Sequence, residues 1–575
     1  MLSIDNAING TPSCGNSRYQ NGLLRDQWQW GGVGSGSPLS PFIVSDCHAI
    51  GDMTAQCNCS KGCTTPNHCT SSYTHQGHGY SASGPASVRD ALRGGTDANC
   101  GCYFKKFLNE SLAGGLINAT DIDLAAGRLV NAMIRLGQLD EEGMASEYTQ
   151  IDRSTVGSTA HRQLAVEAAR QSITLLKNEP GRGKRKLLPL TPGATKLAFV
   201  GPHANATLAM LSDYHGDNRL VNSNSPLEAA RSVPGLEVTY ALGVNTTGSN
   251  DTSGIRAAVE VAKAADAVVV FAGMSPCEMG GCNEGEAHDR TWTPRVQTDD
   301  LGLPGSQQQL LEAVFDANPN TVLVLINGGA LGIDWAKEHL PAIVEAFYPG
   351  ELGGPAIVDV LTGKVEPTGK LPYTIYKANF GSQRAMTDMD LRSANADGSR
   401  GITHLHYTGT PLWAFGDGLG YAELELSWAD DWTQQPSTAD TAATAGGNDA
   451  DADTKREKAA PTEMRVRVSN VGAEQWSSGA TVLGFVSSDG DPRFPVQKLF
   501  GFGKAPPLGP GESAVVTLPL PTDEVLAVSD WTGRRVVSPG ALSLRVGMQG
   551  QWLTHTRVLT GEAVVTEDYS ALFER

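Results

Sequence analysis

The sequence predicts a multidomain chain of α/β units followed by a β-sandwich. Three observations predict it. Strand-like apolar runs alternate with helix-like segments as far as Tyr421, the pattern of parallel sheets. A stretch at 433–462 has almost no large apolar residue and cannot bury a core, so it reads as a flexible linker. Beyond it, short alternating strands such as "EMRVRVSNVG", "ATVLGFVSS", "SAVVTLPL" and "ALSLRVGMQG" are separated by turn signals, which indicates a sandwich. The 575 residues exceed what one core can organise.

The elements follow in order. "PFIVSDCHAI" (41–50) is a strand that ends in Asp46, followed at once by Cys47 and His48. "GPASVRDALRGG" (84–95) and "DIDLAAGRLVNAMIRLGQL" (121–139) read as helices, the second with Leu124, Leu129, Met133 and Leu136 at helical spacing. Residues 160–178 read as one amphipathic helix, ended by the Pro- and Gly-containing "EPGRGKRKLLPLTPG". Four buried parallel strands are expected at "KLAFVG", "AVVVFAG", "TVLVLINGG" and "AIVEAFYPG", with helices at 254–266 and 306–318 between them.

A net charge of −18 repels nucleic acid and anionic membranes and suits a neutral substrate. No apolar run is long enough to span a bilayer, so no membrane insertion is expected. "MLSIDNAING" lacks the features of a secretory signal. Most of the ten cysteines nevertheless crowd between Cys47 and Cys102, and N-x-[ST] sequons occur at Asn58, Asn109, Asn118, Asn205, Asn245 and Asn250. Disulfides in a secreted glycoprotein are the preferred reading. Within "QCNCSKGCTTPNHC" (56–69), zinc binding by Cys57, Cys59, Cys63, Cys69 and His68 stays open, although the spacing matches no strong template. Cys277 and Cys282 are either a small disulfide or free thiols.

Two acidic stretches could carry chemistry. One is Asp46 at a strand end. The other is "CNEGEAHDR" (282–290), a polar loop after a buried strand that holds Glu284, Glu286, His288, Asp289 and Arg290. Carboxylates on two domains suit glycoside cleavage, in which one acts at the anomeric centre and another, protonated, donates to the leaving oxygen. Equally, loop carboxylates beside an arginine can be solvated ion pairs. His203 in "GPHANA" reads as a loop residue.

The motifs "INGTPSC", "LLRDQW", "FIVSDC", "GGTDANCG", "VEAARQSITLLKNE", "GPHANAT", "EGEAHDR", "LPGSQQQLLEAV", "YPGELGGPAIVDVLTGKVEPTGKLPYTIY", "MTDMDLR" and "LWAFGDGLGY" occur in this order. Together they resemble glycoside hydrolase family 3, in its plant- and fungal-type β-xylosidase branch. The resemblance implies the C-terminal part of a (β/α)8 barrel (1–140, the last three βα units), an interdomain helix and linker (141–195), an α/β sandwich (196–432), the linker 433–462, and a fibronectin type III-like β-sandwich (463–565). It implies that Asp46 is the nucleophile and Glu286 the acid/base, with Glu284 the runner-up. It further implies that Glu284, Cys47 and Arg290 contact the substrate, and that no metal or other cofactor is used. The expected activity is exo-acting, retaining hydrolysis of xylo-oligosaccharides, with β-glucosidase, α-L-arabinofuranosidase or a non-catalytic truncated relative (carbohydrate-binding or structural) as alternatives; without the missing barrel units the 575 residues alone are expected to be inactive on xylosides. The expected setting is the secretory pathway, leading outside the cell, to the cell wall or to the vacuole. About five βα units and a signal peptide are expected upstream of these residues. Asp5, His48, the insertion at 31–40 and Asp417 depart from the family pattern.

Overall fold

A computed structural model describes residues 2–3, 6–58, 74–139, 147–181, 183, 185–190, 196–211, 224–274, 301–385, 388–429, 440–441, 462–474, 479–530 and 532–568. The chain divides into two compact units, Met1–Thr155 and Val156–Arg575.

In the first unit, Leu2–Ser3 pairs in parallel with Val44–Ser45, and Val44 bridges Ala98 in parallel. Three chain segments therefore run side by side. Helix Gly84–Gly94 starts where the Ser83 hydroxyl accepts from the Ala86 amide, with proline in its first turn. It stops at Gly95, whose φ of 107° only glycine adopts without strain. Helix Ala119–Arg135 opens with a capping box between Asn118 and Asp121. Its inward face differs from the expected one. Met133 and Leu136 are exposed, whereas Ala125 and Arg128 are buried. Helical spacing found the helix but not its buried face, because that face closes on a charged group rather than on an apolar layer.

The second unit holds a six-stranded sheet in the order Thr174–Asn178, Ala342–Glu345, Thr321–Ile326, Ala267–Gly273, Lys196–Val200, Glu237–Ala241. All pairings are parallel except that of Thr174–Asn178. Each of the three central strands, Ala342–Glu345, Thr321–Ile326 and Ala267–Gly273, is buried along its whole length, as a sheet covered on both faces requires. Alternate residues serve two cores: Val269 and Phe271 face one, Val268 and Val270 the other. Each fully buried aliphatic side chain contributes about 1.5–3 kcal/mol.

The expected helix over 160–178 ends early. Helix Thr159–Ser172 gives way to strand Thr174–Asn178. Thr174, Leu175 and Leu176 are consecutively buried, a pattern no amphipathic helix produces, and pairing with Ala342–Glu345 overrides local propensity. The sheet thus takes in a segment assigned to the interdomain passage. The edge strand Glu237–Ala241 was not anticipated from the sequence; half-exposed, it lacks a continuous apolar run.

The sandwich follows the expected alternation: Met464, Val466 and Val468 of Glu463–Asn470 all point inward. Its three-stranded sheet also recruits Leu424–Trp428, which precedes the linker and pairs antiparallel with Glu463–Asn470. Most of the linker lies outside the described residues; within it Asp440–Thr441 pairs with Leu559–Thr560, and the Thr462 carbonyl accepts from the Leu520 amide. Asp417, a departure from the family pattern, does local work: its carboxylate accepts from the Ala414 amide at 2.8 Å. Among the described residues no helix is long and apolar enough to cross a membrane.

Candidate active site

Asp46 follows Val44–Ser45 directly, behind the fully buried Ile43 and Ser45. The strand is fastened to segment 96–100 along its length. The Asp97 and Ala98 amides donate to the Ile43 carbonyl, and the Ser45 amide donates to the Ala98 carbonyl. The Ser45 hydroxyl accepts from the Cys100 amide at 3.0 Å. The Asp46 carboxylate is half-buried and accepts from the Cys47 amide at 2.7 Å.

Cys47 is disulfide-bonded to Cys100. Its sulfur therefore has no S–H to offer a sugar. The bond ties the loop after Asp46 to the segment that also holds the strand before it. Cys102 is disulfide-bonded as well. His48, the next residue, sits at φ 74°, an uncommon backbone state for a non-glycine residue and one that clusters at functional sites. It starts the short helix Ala49–Asp52.

The second carboxylate loop belongs to the α/β sheet. In chain order its parallel strands lie second, first, third, fourth and fifth across the sheet, so the order reverses between Lys196–Val200 and Ala267–Gly273. Ligands of doubly wound sheets bind at such a reversal, beyond the carboxyl ends of the strands. Strand Ala267–Gly273 leads from this point into 275–300. Glu284, Glu286 and Arg290, with Cys277 and Cys282, lie outside the described residues, as do Asp5 and His68.

The exit from the strand is held by a residue that the sequence did not single out. Gln307 is buried; its Oε1 accepts from the Gly273 amide and its Nε2 donates to the Gly273 and Thr247 carbonyls, each at 2.9 Å. Gly273 itself, at φ 138°, brings its Cα so close to the next strand that a Cβ would meet the Ile326 carbonyl oxygen at 2.1 Å. His203, in the turn after the neighbouring strand, is the loop residue expected, and it is wholly buried. Burial pulls its imidazole down to about 4, with the Ala272 backbone opposing, so it is neutral near pH 7.

Glu345 ends a third strand, fully buried. Its Oε1 accepts from the Phe347 amide at 3.0 Å, and Phe347 adopts φ 54°. Burial pushes the Glu345 carboxyl up to about 8 despite that bond and the Asn327 amide. Burial likewise raises Glu366 to about 7, against donation from the Ala422 and Tyr421 backbone. Between pH 4.5 and about 8 the folded chain retains protons that the unfolded chain releases, so these two groups lower stability as pH rises. His203 acts oppositely, and only as pH falls from 6.5 towards 4. Glu345→Gln keeps the acceptor for Phe347 and removes the titration. The variant is expected to flatten the fall in Tm between pH 6.5 and 8, with a gain on the order of 3 kcal/mol at pH 8. Identical pH slopes for both proteins in calorimetry would contradict this.

The glycosyl hydrolase family 3 C-terminal domain model matches residues 173–421, and the fibronectin type III-like domain model matches 480–549. A probable exo-1,4-beta-xylosidase of Aspergillus fumigatus is 30% identical over 570 residues, spanning 98% of this chain. The chain belongs to glycoside hydrolase family 3. Beta-D-xylosidase 3 of Arabidopsis thaliana is 31% identical over 94% of this family 3 chain. The solved structure of a GH3 exo-beta-xylosidase, in complex with a xylobiose aziridine activity-based probe, superposes with a TM-score of 0.76 at 28% identity, covering 98% of this chain and 67% of that one. The family 3 chain spans 66% of the length of the Aspergillus relative and 64% of the Arabidopsis relative.

Proposed function

We propose that this protein is an exo-acting, retaining β-D-xylosidase that releases xylose from the non-reducing ends of xylo-oligosaccharides. The observation that carries the reading is the likeness to exo-β-xylosidases along nearly the whole chain; Asp46, at the end of its strand in the motif FIVSDC, takes the nucleophile's part in it. The carboxylate of Asp46 attacks the anomeric carbon and forms a glycosyl-enzyme. Glu286 donates a proton to the departing oxygen, then takes one from the water that releases the sugar. Glu284 and Arg290 bind sugar hydroxyls in this scheme, and no cofactor takes part. The net charge of −18 suits a neutral oligosaccharide.

The setting proposed is the secretory pathway. The Cys47–Cys100 disulfide and the exposed sequon asparagines Asn109, Asn118, Asn205, Asn245 and Asn250 support it. The activity is tested with p-nitrophenyl β-D-xyloside, β-D-glucoside and α-L-arabinofuranoside, together with proton NMR of the first-formed anomer. The xyloside is expected to lead in kcat/KM by about tenfold or more, the size of discrimination a pocket achieves against one extra carbon group, with β-xylose appearing first. Dominant glucoside or arabinofuranoside turnover would reassign the substrate, and α-xylose appearing first would exclude a covalent intermediate.

A further inference from the structure

Asp97 lies in a buried ionic cluster that the proposed chemistry does not use. Its Oδ2 accepts from Arg25 Nη2 at 2.6 Å and from the Ile43 amide at 2.8 Å. Its Oδ1 accepts from Arg128 Nη1 at 2.6 Å. The two guanidiniums and the carboxylate are all at least 95% buried. Each arginine also holds main chain. Arg25 donates to the Gly95 carbonyl at 2.8 Å and to the Pro41 carbonyl at 3.2 Å. Arg128 donates to the Ser37 carbonyl at 3.3 Å and to the Ser35 carbonyl.

Such a cluster is poorly explained by stability alone. Taking three charges out of water costs as much as their attraction returns, and apolar residues of similar volume often do as well. Charge-assisted bonds at 2.6 Å do fix geometry, which apolar contacts do not. The geometry fixed here is that of one place: Ile43 just before the strand Val44–Ser45 that leads to Asp46, Pro41 two residues earlier, and Ser35 and Ser37 within the insertion at 31–40. Gly95 is shaped for the same purpose, since a Cβ there would meet Arg25 Nη1 at 2.6 Å.

We infer that Asp97, gripped by Arg25 and Arg128, is a positioning residue for Asp46, fixing Ile43 and with it the strand Val44–Ser45 and the chain leading into it. The inference rests on Asp46 being the nucleophile. Misplacing a reacting group by about 1 Å costs on the order of 100-fold in rate.

The test is covalent labelling of the full chain with a β-xylose-configured aziridine, followed by intact mass and peptide mapping, alongside hydrogen–deuterium exchange. In the wild type, label is expected on Asp46. Asp97→Asn is expected to slow labelling roughly 10- to 100-fold well below its unfolding transition, with little change in the half-saturating probe concentration. Exchange at amides 43–47 should rise about tenfold or more while that of Ala267–Gly273 stays as it was. Arg128→Lys keeps the charge but releases the Ser35 and Ser37 carbonyls, and is expected to fall between the two; it decides the matter by the same readouts if Asp97→Asn does not fold. A variant that labels in lower yield but at the wild-type rate has lost only folded molecules, and that result would overturn the inference. Absence of label on wild-type Asp46 would overturn the nucleophile assignment first and this inference with it.

Discussion

Replacing Asp46 with asparagine is expected to lower turnover of β-xylosides by at least about a thousandfold, with substrate affinity largely kept. The amide matches the carboxylate in size and keeps an acceptor for the Cys47 amide. What it lacks is the charge that attacks the anomeric carbon and the ester oxygen that a glycosyl-enzyme needs. Single-turnover kinetics with an activated aryl xyloside should show no burst, and intact mass should show no adduct. Turnover within tenfold of the wild type would remove Asp46 from the mechanism. The strand beneath should be undisturbed, because its anchors are Asp97, Ser45 and backbone bonds. An unchanged melting temperature is therefore part of the same expectation.

Glu286→Ala is expected to cost roughly 100- to 10,000-fold on xylobiose, the usual worth of a general acid, and far less on substrates whose leaving group needs no proton. Its second step loses the general base, so the glycosyl-enzyme should accumulate. Azide, an anion that attacks without proton removal, should then restore turnover and yield β-xylosyl azide. Glu284→Ala, placed as a sugar contact, should raise KM without azide rescue. Rescue of Glu284→Ala instead would exchange the two roles.

Much of this was legible in local pattern. Seven apolar residues in "AVVVFAG" form a strand buried on both faces, and the alternation in "EMRVRVSN" marks a strand with one inward face. Ser83 with Pro85, and Asn118 with Asp121, mark helix starts within four residues of sequence. The candidate carboxylates were legible as an acid at a strand end, Asp46, and acids in a polar loop beyond another strand, Glu284 and Glu286. Other features were decided by partners far along the chain. Thr174–Asn178 is a strand because Ala342–Glu345 offers it an edge, and Leu424–Trp428 is one because Glu463–Asn470 does. Asp97 meets Arg25 across 72 residues and Arg128 across 31, and no local pattern in the sequence pairs them. Gln307 reaches Gly273 across 34 residues from what looks like a plain polar position at a helix start. Period and capping arise from neighbours in sequence, whose spacing the covalent chain sets. Edge pairing and buried charge compensation depend on which groups meet after folding, so only the tertiary structure could decide them.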